Sequence, residues 1–299
     1  MTTTTMSDRE TAVSTLPRVQ FRLLAQAMLL FALFLALFVY VQSGTDALAG
    51  SDGYYHSKMG WLIRQEGLKP DFPWLPQSIL NPDAFYDHHL LYHVYLALFA
   101  ATDPVMDGGL GLTQATKAAS VLLPSLAFMA VWWLLRDQGV AFATVWALGL
   151  TAVSSAFLYR MSMPRAQSAS LLVLVLALHW LLQGKYRWLL PLGFVYVWLY
   201  NAFPLLLAVA GVYVGVVWLL ERRVVWQAVV YPALGIALGV IINPYFPDNV
   251  PFIIHHLLPK IGESATKVGN EWYAYQTDTL LRNSGFALAA FVLGVLGMG

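Results

Sequence analysis

Four stretches of this sequence hold most of the side chains able to do chemistry. The first is GSDGYYH, residues 50–56, where Asp52 follows a Gly-Ser pair and precedes Tyr54, Tyr55 and His56. A carboxylate so placed can ligate a divalent cation or take a proton from a nucleophile. It can equally cap the helix that follows. The second is FYDHHLLYH, residues 85–93, in which Asp87, His88 and His89 offer hard oxygen and imidazole ligands. His89 and His93 are one helical turn apart and share a face. The third is LYRMSMPRAQS, residues 158–168, with Arg160 and Arg165. The planar guanidinium fork fits phosphate oxygens, with lipid-headgroup anchoring as the plainer use. The fourth is the long polar stretch 243–284, which mixes Lys260, Glu263, Lys267, Glu271 and Arg282 with aromatic residues. It reads either as a loop that brings a carboxylate over a site or as an interfacial helix with an aromatic belt.

The elements that must position these groups are apolar. Of 299 residues, 59% are hydrophobic and only 11% charged, with a mean hydropathy of +0.62. Soluble domains carry about 25% charged residues, so this chain cannot cover itself with polar groups in water. The composition points to an all-α polytopic membrane protein. Net charge is +1, which gives no basic footprint for nucleic acid, and none is expected as a partner. With no cysteine, the chain has no disulfide, thiol nucleophile or cysteine metal site. Residues 1–22 read as a polar, disordered cytoplasmic tail and 23–299 as one transmembrane domain. The first apolar run is too long for a signal-peptide core and reads as a retained helix.

A spanning helix needs about 20 apolar residues. About eight spans are expected, near 24–42, 111–135, 140–159, 168–183, 188–202, 203–220, 226–242 and 285–299. Asn201 and Pro204 within WLYNAFP suit a tight hairpin between two short spans. The segment 87–105 is too short to cross and reads as interfacial or re-entrant. With it at the surface, Arg136, Lys185, Arg187, Arg222 and Arg223 fall on the same side as Arg9, Arg18 and Arg22, as the positive-inside rule asks. That side then carries eight basic and four acidic residues, against nine basic and twelve acidic elsewhere. Six of the seven histidines also lie on the opposite, outer side, in loops 43–110 and 243–284. No acid lies deep in a span, and no inverted repeat is visible, unlike the pattern of ion-coupled transporters. The titratable groups gather instead at one membrane face.

Taken in order, a first span, G-S-D-G-Y beyond it, an outer helix, and two spans closed by Y-R-M-S resemble the catalytic subunits of bacterial and archaeal oligosaccharyltransferases. These belong to the GT-C superfamily of membrane glycosyltransferases. The resemblance covers about residues 24–283, and WLYNAFP matches the aromatic hairpin of that family. It implies a GT-C-like fold and transfer of a sugar from a polyprenyl-phosphate or polyprenyl-diphosphate donor, with a protein or glycan as acceptor. It also implies a site facing the outside of a prokaryotic plasma membrane, with membrane lipids as the surroundings. Under it, Asp52 is a ligand of Mg²⁺ or Mn²⁺ that also contacts the acceptor. Arg160 is the arginine before the second acidic motif, and Glu271 is the mobile-loop glutamate. Arg282 is the basic residue near the lipid-linked phosphate, with Arg165, Tyr54 and Tyr55 completing the substrate-binding set.

One departure stands out. Where the family has its second acidic pair, this chain has Gln167 and Ala169. Asp87 with His88 or His89 could supply replacement ligands to the divalent cation, beside Asp52 and Glu271. The family's large soluble C-terminal domain has no counterpart in these 299 residues. Two other readings stand beside the enzyme: a non-catalytic relative that binds lipid phosphate or a membrane partner, and a transporter or flippase.

Overall fold

The computed structural model describes residues 6–72, 85–261 and 276–297, with side chains for 20–72, 85–255 and 276–297. All regular structure among them is helical. Helix α1 (Met6–Ser43) contains an apolar stretch, Gln20–Ser43, long enough to cross a membrane. Past a short loop come α2 (Asp52–Glu66), α3 (Leu90–Ala97) and α4 (Pro104–Asp107). The long α5 (Leu110–Asp137) follows, then α6 (Ala143–Gly149), α7 (Ser155–Ser162) and α8 (Gln167–Leu182). The last five are α9 (Leu189–Leu199), α10 (Pro204–Glu221), α11 (Gln227–Ile241), α12 (Asn249–Ile261) and α13 (Thr277–Leu296).

Four helices are long and apolar enough to span: the apolar part of α1, then α5, α10 and α13. A fifth forms if α7 and α8, bent by 105° at their junction, count as one. The chain is thus a helical, membrane-embedded protein. The other expected spans differ from a simple count. Segment 140–159 is not one helix but two short ones, because the Ser154 hydroxyl accepts from the Phe157 N–H and starts α7 afresh. Helix α7 ends at Ser162, since Met163 precedes Pro164 and takes an extended backbone (ψ 143°). Helices α9 and α11 have 11 and 15 residues, short of a full crossing on their own. The eight-residue α3 is about 12 Å long at 1.5 Å per residue, far short of the ~30 Å hydrocarbon layer.

The core lies between α5, α8, α9 and α11. Helix α1 packs on α5 through Phe34 and Phe38, whose rings meet Phe128 edge-on at 5.3 and 5.4 Å. The chain does turn at Tyr200–Phe203, with Pro204 opening α10. The main neighbour of α9 is nevertheless α11 rather than α10. Glycine explains the preference. A Cβ on Gly235 would sit 2.0 Å from the Leu190 carbonyl oxygen, and one on Gly239 would sit 2.8 Å from that of Phe194. Only bare backbone lets these helices come so close. The approach is sealed by Trp198, whose Nε1–H donates to the Gly239 carbonyl at 2.9 Å.

One end of this bundle collects the polar groups. Lys117, buried on α5, donates from Nζ to the carbonyls of Gln42 (3.0 Å) and Thr45, capping the C-terminus of α1. The Gln42 amide donates to the Ser162 carbonyl at 2.6 Å, so α1 is tied to the α7–α8 turn as well. The opposite end holds Asp137, which accepts from Gln183 at 2.7 Å, together with the basic residues of the short connections.

Candidate functional site

The first and third sequence stretches meet in space. Gly50, at φ +80°, turns the chain over Met163, and Gly53 lies on Pro164. The two glycines of GSDG are therefore there because the MPR turn leaves no room for a Cβ. Between them, Asp52 opens α2 as its first residue, with Ser51 at the N-cap. Asp52 is not the cap that its position suggests. Its carboxylate accepts from the Arg165 guanidinium across 113 residues of sequence. The Asp52 side chain remains 54% exposed, while that of Arg165 is 14% exposed. Arg160 stands on the last turn of α7, leading into the same turn.

A second, buried cluster lies one turn further along α2. His56 Nδ1 is 2.7 Å from His93 Nε2, and His93 Nδ1 is 2.7 Å from Asp87 Oδ2. The other Asp87 oxygen accepts from the His89 backbone N–H at 3.0 Å. Asp87 and His93 are sealed from solvent, and His56 is nearly so. The contact of α2 with α3 that allows this passes over Gly60, where a Cβ would meet that of Leu96 at 2.7 Å. Burial first, then the cost of placing a positive charge beside His93, His88 and Arg165, holds the His56 imidazole well below its usual range, so it is neutral. His88 stacks on Phe252 (5.1 Å) and His89 lies over Tyr200 (5.2 Å), which brings the WLYNAFP turn to the histidines.

The remaining expected residues distribute as follows. The Tyr54 hydroxyl accepts from the Leu48 N–H at 3.2 Å and braces the loop before Asp52. Tyr55 is turned inward between Phe72 and His93, and burial followed by the Asp87 charge pushes its hydroxyl up, so it stays protonated. On α13, Arg282 pairs with Asp278, four residues back, at 2.7 Å, and is 76% exposed. Gln167 begins α8, and its buried Oε1 has no partner among the described residues, while Ala169 is buried in the core. Glu271 lies outside the described residues. His93 and His56 are the functional candidates that spacing missed. The expected pairing of His93 was with His89, one turn back, whereas the actual partners are Asp87, just before the helix, and His56 on another element.

The donor set for Mg²⁺ or Mn²⁺ is incomplete among the described residues. No group of three His, Asp or Glu side chains there is arranged to hold a metal ion. Asp52 faces Arg165, and both oxygens of Asp87 have donors within the protein. Of the expected ligand set, Glu271 lies outside the described residues. What the arrangement offers is a half-exposed carboxylate held by Arg165, with a buried histidine chain one turn further along α2.

Comparison with protein-family models, with curated proteins and with solved structures finds no match.

Proposed function

We propose that this chain is a GT-C-like glycosyltransferase that takes a sugar from a polyprenyl-phosphate or polyprenyl-diphosphate donor at the outer membrane face. The observation that carries the reading is the Asp52–Arg165 pair, a carboxylate and a guanidinium on adjoining turns at one end of a membrane-embedded bundle. The basic residues at the opposite end, Arg136, Lys185, Arg187, Arg222 and Arg223, favour the cytoplasm for that end. A polyprenyl-linked sugar carries its phosphate at the interface, at the level of such a pair.

The chemistry needs a base and a stabiliser of the leaving phosphate. Asp52 takes the proton from the acceptor's O–H or N–H as that atom attacks the sugar's anomeric carbon. The anomeric C–O bond to phosphate breaks, and the electron pair leaves on the phosphate oxygen. Arg165 and Arg160 offset its charge. A guanidinium has five donors in a fixed fork that matches phosphate oxygens. A positioned general base contributes about 10²–10⁴-fold. The replacement of the acidic pair by Gln167 and Ala169 favours a second reading, in which the same arginines bind lipid phosphate without transfer.

The test is sugar transfer from a labelled polyprenyl-phosphate donor by the protein in nanodiscs. Asp52→Asn is expected to lose about 10²–10⁴-fold in transfer with donor binding largely kept. Donor binding by the wild type with no release of sugar to any acceptor supports the binder instead. No donor binding at all overturns both readings.

A further inference from the structure

The buried Asp87–His93–His56 chain takes no part in the step just described, yet with His93 neutral its hydrogen bonds fix which nitrogen of each ring carries the proton. Asp87 accepts at both oxygens, from the His89 N–H on Oδ1 and from His93 Nδ1 on Oδ2. An ionised carboxylate can only accept, so the His93 proton is on Nδ1. Neutral His93 then presents a lone pair at Nε2. That atom is 2.7 Å from His56 Nδ1, so the His56 proton is on Nδ1 and its Nε2 is bare. No hydrogen bond to His56 Nε2 is seen among the described residues, and Nε2 is not one of their fully buried unpartnered atoms, so with the residue 4% exposed it is within reach of a donor from outside the chain. His56 lies one turn along α2 from Asp52, and Arg165, the partner of Asp52, is close enough for its charge to act on the imidazole.

The geometry points to Asp87 and His93 as positioning residues: they lock His56 in the Nδ1–H tautomer so that Nε2 accepts a hydroxyl of the sugar held at Asp52 and Arg165. The sugar rests on the function proposed above; the tautomer does not. Asp87→Asn tests both parts, because the direction of its effect is forced. The His89 N–H claims the remaining carbonyl oxygen, so the amide N–H₂ faces His93 Nδ1. His93 must then move its proton to Nε2 and donate to His56 Nδ1, which leaves His56 with Nε2–H, a donor where an acceptor stood.

Nitrogen NMR of histidine-labelled protein in nanodiscs reads these protons directly. In the wild type, His93 and His56 are both expected as Nδ1–H, and in Asp87→Asn both as Nε2–H. Wild-type His56 with Nε2–H, His93 protonated on both nitrogens, or an unchanged His56 in the variant each overturns the chain. Binding of a polyprenyl phosphate, with and without attached glucose, reads the role. Wild type should favour the sugar-bearing lipid, and Asp87→Asn should lose about two- to tenfold on that lipid alone. Equal binding of both lipids by the wild type, or no change in the variant, overturns the positioning role. A wild type that binds neither lipid overturns the proposed function while the NMR result stands. Should Asp87→Asn not fold, wild-type tautomers decide the chain, and His56→Leu, which removes the acceptor, takes its place in the binding test.

Discussion

Gly53 lies against Pro164 so closely that a Cβ on Gly53 would stand 2.4 Å from the proline Cγ. This contact seats the N-terminus of α2 on the turn that carries Arg165. Gly53→Ala should therefore shift α2 and weaken the Asp52–Arg165 pair, at about 1–3 kcal/mol, the usual cost of overpacking. Thermal unfolding in nanodiscs measures it. The double variant Gly53→Ala/Pro164→Ala, which restores the space, should recover much of the loss; a double variant as unstable as the sum of its parts would argue against the contact.

The two arginines should separate by chemistry rather than by charge. A charge-assisted bond from arginine to phosphate is worth about 1.5–3 kcal/mol, or roughly 10- to 150-fold in affinity. Arg165→Ala and Arg160→Ala should each weaken binding of a polyprenyl phosphate within that range. Arg165→Lys keeps the charge but loses the fork and should recover only part. Binding in nanodiscs of neutral lipid, where headgroup attraction is small, checks both, and undiminished affinity in both alanine variants would remove the arginines from the phosphate site.

Glycines on neighbouring helices should respond oppositely to the same change. Gly235→Ala puts a methyl group into the Leu190 carbonyl, so α9 and α11 must part. A loss of at least about 1–3 kcal/mol is expected. Gly211→Ala on α10 meets nothing within 4 Å and gains up to about 1 kcal/mol of helix propensity. Unfolding temperatures of the two variants measured side by side test the difference.

His56 should make stability depend on pH in a set direction. Its folded-state pKa is depressed, chiefly by burial, so below the unfolded value of about 6.5 the unfolded chain binds more protons. The stability from neutral His56 is fully present above about pH 6.5 and falls on acidification by up to about 1.4 kcal/mol per pH unit. His56→Gln, which does not titrate, should flatten the acid limb of a plot of unfolding temperature against pH. Superimposable plots would show that His56 does not control it.

Much of the architecture is legible in single residues. Runs such as LLFALFLALFVY declare a membrane helix because hydropathy is a property of the segment itself, whatever it touches. Pro164 ends a helix and Pro204 begins one for equally local reasons. The distribution of Arg136, Lys185, Arg187, Arg222 and Arg223 sorts the connections into two sets before any coordinates are known. Local signals also drew the eye to GSDG, to the arginines of YRMSMPR and to the histidines after Asp87.

Pairing was decided only in three dimensions. Nothing in the spacing says that Asp52 meets Arg165, since that contact depends on how Gly50 and Gly53 fit Met163 and Pro164, 113 residues on for the ion pair itself. The 140–159 run looked like one span because its apolar content is continuous, but Ser154 and Ser284 share a hydroxyl bond at 2.9 Å that belongs to the packing of α7 with α13. His93 seemed a companion of His89 by helical period. It became the centre of a buried chain because Gly60 lets α2 lie on α3, which carries His56 to its Nε2. Sequence determines what each segment can form from its own residues, whereas a hydrogen bond between elements needs two atoms within about 3 Å, and only the packed glycines and prolines set that distance.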